Sequence, residues 1–220
     1  MTALKHSIRP EEALRSLYGK TSVELGMSEK RRDEVIAAAI FTCFRNQEFG
    51  TRFHLPPDYK NSNLTEDAQG IDMAVTDTSG RKKNLQIKGI HIQRSIERRR
   101  LHKTRGGAII LGRKTQRQMR RDSEELTRIM KGELNKIVQD YSGIILLIHV
   151  IADLATQTSL DIAIKQSQSI VQHLKSKEVW FLRNIPVRVL AGQKTLLSCY
   201  CYKIIRVAPD RQTYVFTFAV

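Results

Sequence analysis

Asp72 stands thirteen residues ahead of the triplet Gln86-Ile87-Lys88, and both lie in runs where apolar and polar residues alternate. In an extended strand, residues two apart share a face. Over residues 70–77, Ile71, Met73 and Val75 point one way, and Asp72, Ala74 and Thr76 the other. On the returning run, Leu85 and Ile87 point one way, and Asn84, Gln86 and Lys88 the other. Thr78-Ser79-Gly80 between them supplies turn chemistry. A loop centred on Gly80 pairs Asp72 with Lys88, Ala74 with Gln86 and Val75 with Leu85, which gathers the apolar residues on one face. A slip of one residue would set Asp72 against Ile87, and burial penalises it. The polar face then carries a carboxylate, an amide and an ammonium. Phosphodiester hydrolysis uses such a set: oxygen ligands for Mg²⁺, and a cation near the attacking water and the scissile phosphate.

An Asp, Glu or Gln two residues before a Lys occurs twice in the chain. Asp58-Tyr59-Lys60 follows Pro56-Pro57 and has no strand pattern around it, whereas Gln86-Ile87-Lys88 sits on a patterned strand behind an Asp-bearing one. The plainer reading of the hairpin is a solvated face on which Asp72 and Lys88 form an exposed cross-strand ion pair.

Asp72 followed by Gln86-Ile87-Lys88 on the next strand resembles the PD-(D/E)xK nuclease superfamily, in the Gln variant of Mrr-like enzymes. The resemblance covers about residues 28–150. It implies a restriction-endonuclease-like fold and a metal-dependent DNA endonuclease that leaves 5′-phosphate and 3′-hydroxyl ends. Asp72, Gln86, Lys88 and an acid on an upstream helix would be the catalytic set, with Asp72, Gln86 and the helical acid holding Mg²⁺. Glu34, which opens an apolar helical run, is the choice for that acid; Asp33 and Glu29 are its rivals, and an ordinary solvated helix face with a Lys30–Glu34 pair is the plainer reading. Two positions depart from the family pattern: Gln86 replaces the usual acid, lowering the negative charge of the site, and Ile71 rather than Pro precedes Asp72. The expected activity is restriction-type or mobile-element cleavage, by a homodimer if both strands are cut. The alternatives are a Holliday-junction-resolvase-like nuclease and a non-catalytic DNA-binding protein on a decayed nuclease scaffold. One Trp and 6% aromatic residues offer few stacking platforms for RNA.

The charge points to the same class of partner. The chain has 37 Lys/Arg and 22 Asp/Glu, a net +15. Residues 91–121 hold 11 of the basic groups and only Glu97 among acids, so ten of the fifteen excess charges lie in this segment. Arg94, Arg98, Arg99, Arg100, Lys103, Arg105, Arg113, Lys114, Arg117, Arg120 and Arg121 are the candidate DNA contacts. A solvated loop is the alternative for such a run. A membrane partner is disfavoured because the run lacks an apolar face. His91, His102 and His149 read as incidental or core residues.

The positioning elements follow from periodicity and punctuation. Helices are expected over 10–19, from Ser28 to about 47, over 114–141 and over 158–175. Strands are expected over 52–55, 70–77, 83–90 and 142–150, then over 179–190, 195–207 and 214–220 as a C-terminal meander. The expectation is one mixed α/β domain over 1–220, with a nuclease core at 28–150, a helical extension at 1–27 and a C-terminal helix and strands at 151–220. The run from Ile144 to Ala155 is too short for a transmembrane helix, which needs about 20 residues. The start lacks the apolar stretch of a signal peptide, and Cys43, Cys199 and Cys201 have no disulfide-framework or zinc spacing. A reducing, cytoplasmic setting is therefore expected, with no small-molecule cofactor.

Overall fold

A computed structural model of the chain describes residues 7–61, 70–91, 115–136, 143–151, 161–167, 170, 176, 178–184 and 199–220. Helix α1 (Pro10–Leu17) starts on Pro, carries Glu11 and Glu12 in its first turn and Arg15 in its last, as the helix dipole favours. Helix α2 (Glu29–Glu48) is capped by Ser28, whose side chain accepts the Arg31 N–H at 3.1 Å. Helix α3 (Gln116–Asn135) opens on a capping box: the Thr115 hydroxyl accepts the Gln118 N–H at 3.2 Å, and the Gln118 side chain accepts the Thr115 N–H at 2.9 Å. Residues 161–167 are also helical. The remainder of the two later helices expected from sequence, at 137–141 and around 161–167, lies largely outside the described residues. No described helix is long and apolar enough to cross a membrane.

Strands β1 (Phe53–His54), β2 (Met73–Asp77), β3 (Lys82–His91), β4 (Ile144–Ile151), β5 (Glu178–Asn184), β6 (Cys199–Ala208) and β7 (Gln212–Ala219) make one mixed sheet in chain order. β3, β4 and β5 run parallel, and every other neighbouring pair is antiparallel. The expected C-terminal meander is β5-β6-β7.

Alternation along the strands feeds two cores. Leu85, Ile87, Ile145, Leu147, Trp180 and Leu182 pack with α1 and α2, whose Leu14, Leu17, Ile40 and Phe41 are fully buried or nearly so. The intervening residues Ile90, Leu146, Ile148 and Phe181 pack with Leu126, Met130 and Leu134 of α3 and with Ala163 and Ile164. The fold is therefore a mixed α/β one with helices on both faces of the sheet. β4 is buried on both sides, which explains its unbroken apolar sequence. His149, on β4, is buried and lies 6.0 Å from Tyr202, ring to ring, as a core residue.

The register of the β2–β3 hairpin differs from expectation. Met73 pairs with Leu85, Ala74 with Asn84 and Val75 with Lys83, so the loop is centred on Ser79, not Gly80. Asp77 and Arg81 close it: the Asp77 N–H donates to the Arg81 carbonyl at 3.0 Å, and Gly80 takes φ 83° at the last loop position. A three-residue hairpin loop puts its left-handed glycine last. The Asp77 carboxylate fixes the turn by accepting the N–H groups of Ser79 and Arg81 at 2.9 and 2.8 Å. The shift is two residues, an even number, so the two faces keep their composition, but Lys88 no longer stands opposite Asp72. The ladder also starts at Met73, three residues later than expected, with Gly70 at φ 72° in the turn that precedes it.

Candidate active site

Asp72 lies just ahead of β2 and against β3. Its N–H donates to the Leu85 carbonyl at 2.9 Å. Its Oδ2 accepts the Gln86 side-chain amide N–H and the Ile87 backbone N–H, the latter at 2.5 Å. Asp72 therefore faces Gln86 directly. Burial pushes the Asp72 carboxyl up to about 6; the Ile87 N–H opposes this, Glu34 adds to it, and Lys88 and Lys30 oppose it. These contributions put Glu34 and Lys88 within electrostatic reach of Asp72, although they come from α2 and from further along β3. Lys88 is partly buried, two residues beyond Gln86 on the same face.

The start of α2 supplies the second half of the site. Glu34 is buried, Asp33 is less so, and Glu29 is exposed, so of the three helical acids Glu34 is the one turned inward. It pairs with Lys30 at 3.4 Å and with Arg31 at 3.5 Å. Arg31 is a site residue that the sequence motif does not include. Arg31 is 8% exposed. Nη1 donates to the Asp72 carbonyl at 2.9 Å, and Nη2 donates to the carbonyls of Tyr59 and Asn61 at 3.0 and 2.5 Å. One planar fork thus ties α2, the chain before β2 and the 56–61 turn together. Its signal in the sequence is positional: Arg31 precedes Val35 by four residues, on the stripe that α2 buries. An open cleft of about 220 Å³ lies beside the pair, lined by Arg31, Asn61, Asp72, Thr76 and Lys82 among others.

The donors suit a hard cation. Gln86 Oε1 is buried without a hydrogen-bond partner, an idle acceptor at the far end of the amide whose nitrogen meets the desolvated Asp72 carboxylate. A half-turn of the Gln86 amide would exchange its two ends and aim that oxygen at Asp72's side. Two carboxylates and an amide oxygen are what Mg²⁺ takes when it keeps several waters. Among the described residues no three His, Cys, Asp or Glu side chains form a metal-binding group; the candidate set has two acids, and its third donor is an amide.

Of the basic residues expected on DNA, Arg117, Arg120 and Arg121 are exposed on the first turns of α3, where Arg120 pairs with Glu124 at 3.0 Å. Arg94, Arg98, Arg99, Arg100, Lys103, Arg105, Arg113 and Lys114 lie outside the described residues. Cys43 is buried and its thiol is pushed up by burial, which suits a core residue rather than a nucleophile. Comparisons with known protein families, with curated proteins and with solved structures give no match to the chain.

Proposed function

We propose that the protein is a Mg²⁺-dependent DNA endonuclease of the PD-(D/E)xK type, on a restriction-endonuclease-like fold. The observation that carries this reading is the contact of Asp72, just ahead of β2, with Gln86 of β3, where the charges of Glu34 on α2 and Lys88 on β3 also act on the Asp72 carboxyl. The element order supports it: helix α2, short β1, the β2–β3 hairpin, α3, then β4 parallel to β3. Asp72, Gln86 and Glu34 would hold Mg²⁺, which when bound supplies electrophilic stabilisation at the phosphate and lowers the pKa of water. Arg31 holds the Asp72 backbone in place. Lys88 offers an ammonium to the charge that develops as the phosphate is attacked. Excess positive charge in residues 91–121 brings the polyanion to the site. A homodimer would place two such sites on two strands.

A second reading has one observation in its favour. Asp72 and Gln86 already satisfy each other by a hydrogen bond, as they would on a decayed nuclease scaffold that binds DNA without cutting it. Supercoiled plasmid and four-way-junction DNA incubated with Mg²⁺ or with EDTA separate the two. The expected result is nicking that needs Mg²⁺ and disappears in Asp72→Ala, with DNA affinity retained. Mg²⁺-independent cleavage, or a wild-type rate in Asp72→Ala, would overturn the site; intact DNA with tight binding would favour the second reading.

A further inference from the structure

Two and three strands away from Lys88, on the same face of the sheet, lie two more cations, Arg183 and Lys203. Ile90, Val150, Arg183 and Lys203 are register partners in one row across β3, β4, β5 and β6. Arg183 alternates in phase with Val179 and Phe181, and Lys203 with Ile205 and Val207, all of which pack on the α3 side. Arg183 is 5% exposed, and burial lowers its pKa against the pull of Asp161. Like charges opposite one another across a ladder repel. Asp161 acts on both, but its hydrogen bonds here are with Lys203, whose Nζ donates to its two carboxylate oxygens at 3.0 and 3.3 Å.

Arg183 Nε is buried with no hydrogen-bond partner, and the guanidinium makes no hydrogen bond or ion pair among the described residues. Arg31, Arg45 and Arg206 also bury an unpaired Nε, but each commits at least one Nη atom. Arg31 binds three carbonyls, Arg45 binds Glu178 at 2.6 Å, and Arg206 binds Asp210 at 2.7 Å. A guanidinium whose Nε is desolvated and unpaired, with an acid nearby already bonded to another cation, is stabilised when a further anion joins it. The planar fork of Arg matches a phosphate, and Lys203 adds a point charge beside it. The place fits as well: Arg183 is at the carboxyl end of the parallel strands, where α/β sheets collect ligands.

We propose that Arg183 and Lys203 form a phosphate-binding site that holds the backbone of a nucleic-acid strand near Asp72. Strand spacing and rise put Arg183 roughly 12 Å from Lys88. A duplex strand covers that in about three or four nucleotides, at about 3.4 Å each. The carrier of the phosphate rests on the nuclease reading; the anion site itself does not.

The first measurement is thermal denaturation of the full chain in sodium phosphate and in sodium chloride at equal ionic strength. Phosphate should raise the Tm above chloride, Arg183→Met should remove the excess, and Asp161→Asn, which takes away the competing acid, should enlarge it. The second is a salt titration of duplex binding in EDTA, so that binding is read without cleavage. There Arg183→Met should flatten the slope of log K against log salt by about 0.9. No excess in phosphate for wild type, or none gained in Asp161→Asn, overturns the site even if Arg183→Met fails to fold. A phosphate excess with an unchanged DNA slope overturns its place on the polynucleotide and points to free phosphate or a nucleotide. Plasmid cleavage with no phosphate effect sinks this inference alone. A flattened slope without any cleavage sinks the nuclease reading alone.

Discussion

The Asp72 carboxyl titrates near pH 6 because it is desolvated and faces a second acid, Glu34. An acid whose folded value lies above its ordinary 3.8 holds on to its proton in the fold. It therefore contributes stability that is complete below about pH 4 and is lost as the pH rises to 6. The loss is about 3 kcal/mol for a shift of this size. In EDTA, denaturant unfolding of wild type should weaken by about that amount relative to Asp72→Asn between pH 4 and 7. Parallel pH profiles for the two proteins would show that Asp72 is not desolvated as described. Mg²⁺ should restore the lost stability at pH 7 by binding the folded form. Gln86→Glu makes the same point from the other side. It replaces a hydrogen-bond donor to Asp72 with a second carboxylate, so the metal-free protein should melt earlier at pH 7.5, while cleavage in Mg²⁺ persists. A stability gain without metal would contradict the geometry. Lys88→Ala should slow single-turnover cleavage by roughly 10²-fold, the scale of losing one preorganised charge. An unchanged rate would remove Lys88 from the reaction.

The hairpin shows how far the site was legible. Alternation alone told which side chains share a face, because that depends only on parity, and Asp72, Gln86 and Lys88 do share one. Alternation could not tell how far the strands slide in steps of two, since every such slide buries the same residues. The Asp77 turn decides it, through a carboxylate that binds Ser79 and Arg81 and a Gly80 that must come last. Those residues were readable as turn chemistry, yet choosing between centres at Ser79 and Gly80 needed the rule that the left-handed residue ends a three-residue loop. Helix α2 was legible from Ser28 and Gly50. Arg31 and Arg183 were not, because what distinguishes them is the set of acceptors they meet, or lack, after folding. Asp77 titrates near 2, held down by its bonds to Ser79 and Arg81. A lowered acid stabilises the fold above its ordinary value and ceases to as the pH falls through 2. Asp77→Ala should lower the Tm at pH 7 and flatten the wild type's loss of stability below pH 4. It should also weaken Asp72-dependent cleavage, because the hairpin register loses its clamp. A variant with unaltered Tm and rate would mean that the strands themselves set the register.

At the scale of the whole molecule, charge and fold are arranged separately. The cores on both faces of the sheet account for the stability of the layers, and ten of the fifteen excess positive charges lie in one stretch, residues 91–121, that ends on α3. Arg117, Arg120 and Arg121 occupy the first turns of that helix, which has no acid in its first turn. A cation in the first turn of a helix opposes the macrodipole, at a cost of about 0.3–1 kcal/mol. Arg117 lies in that first turn and Arg120 and Arg121 just beyond it, so helix stability does not explain Arg117 there, whereas the proposed DNA-binding role would. Replacing all three by Gln should leave the Tm unchanged or slightly raised. On duplex DNA in EDTA the same variant should bind more weakly to every sequence. Its plot of log K against log salt should be flatter by up to about 2.7 units, about 0.9 for each phosphate that is no longer neutralised. If the arginines read base edges instead, affinity would fall more on a preferred site than on random duplex, with a smaller change in slope. If they are only a solvated face, with Arg120 occupied by Glu124, slope and affinity would both stay as in wild type. Salt titrations of the triple variant on several unrelated duplexes distinguish these outcomes, and a uniform, salt-dependent loss is the one expected from the proposed DNA-binding role.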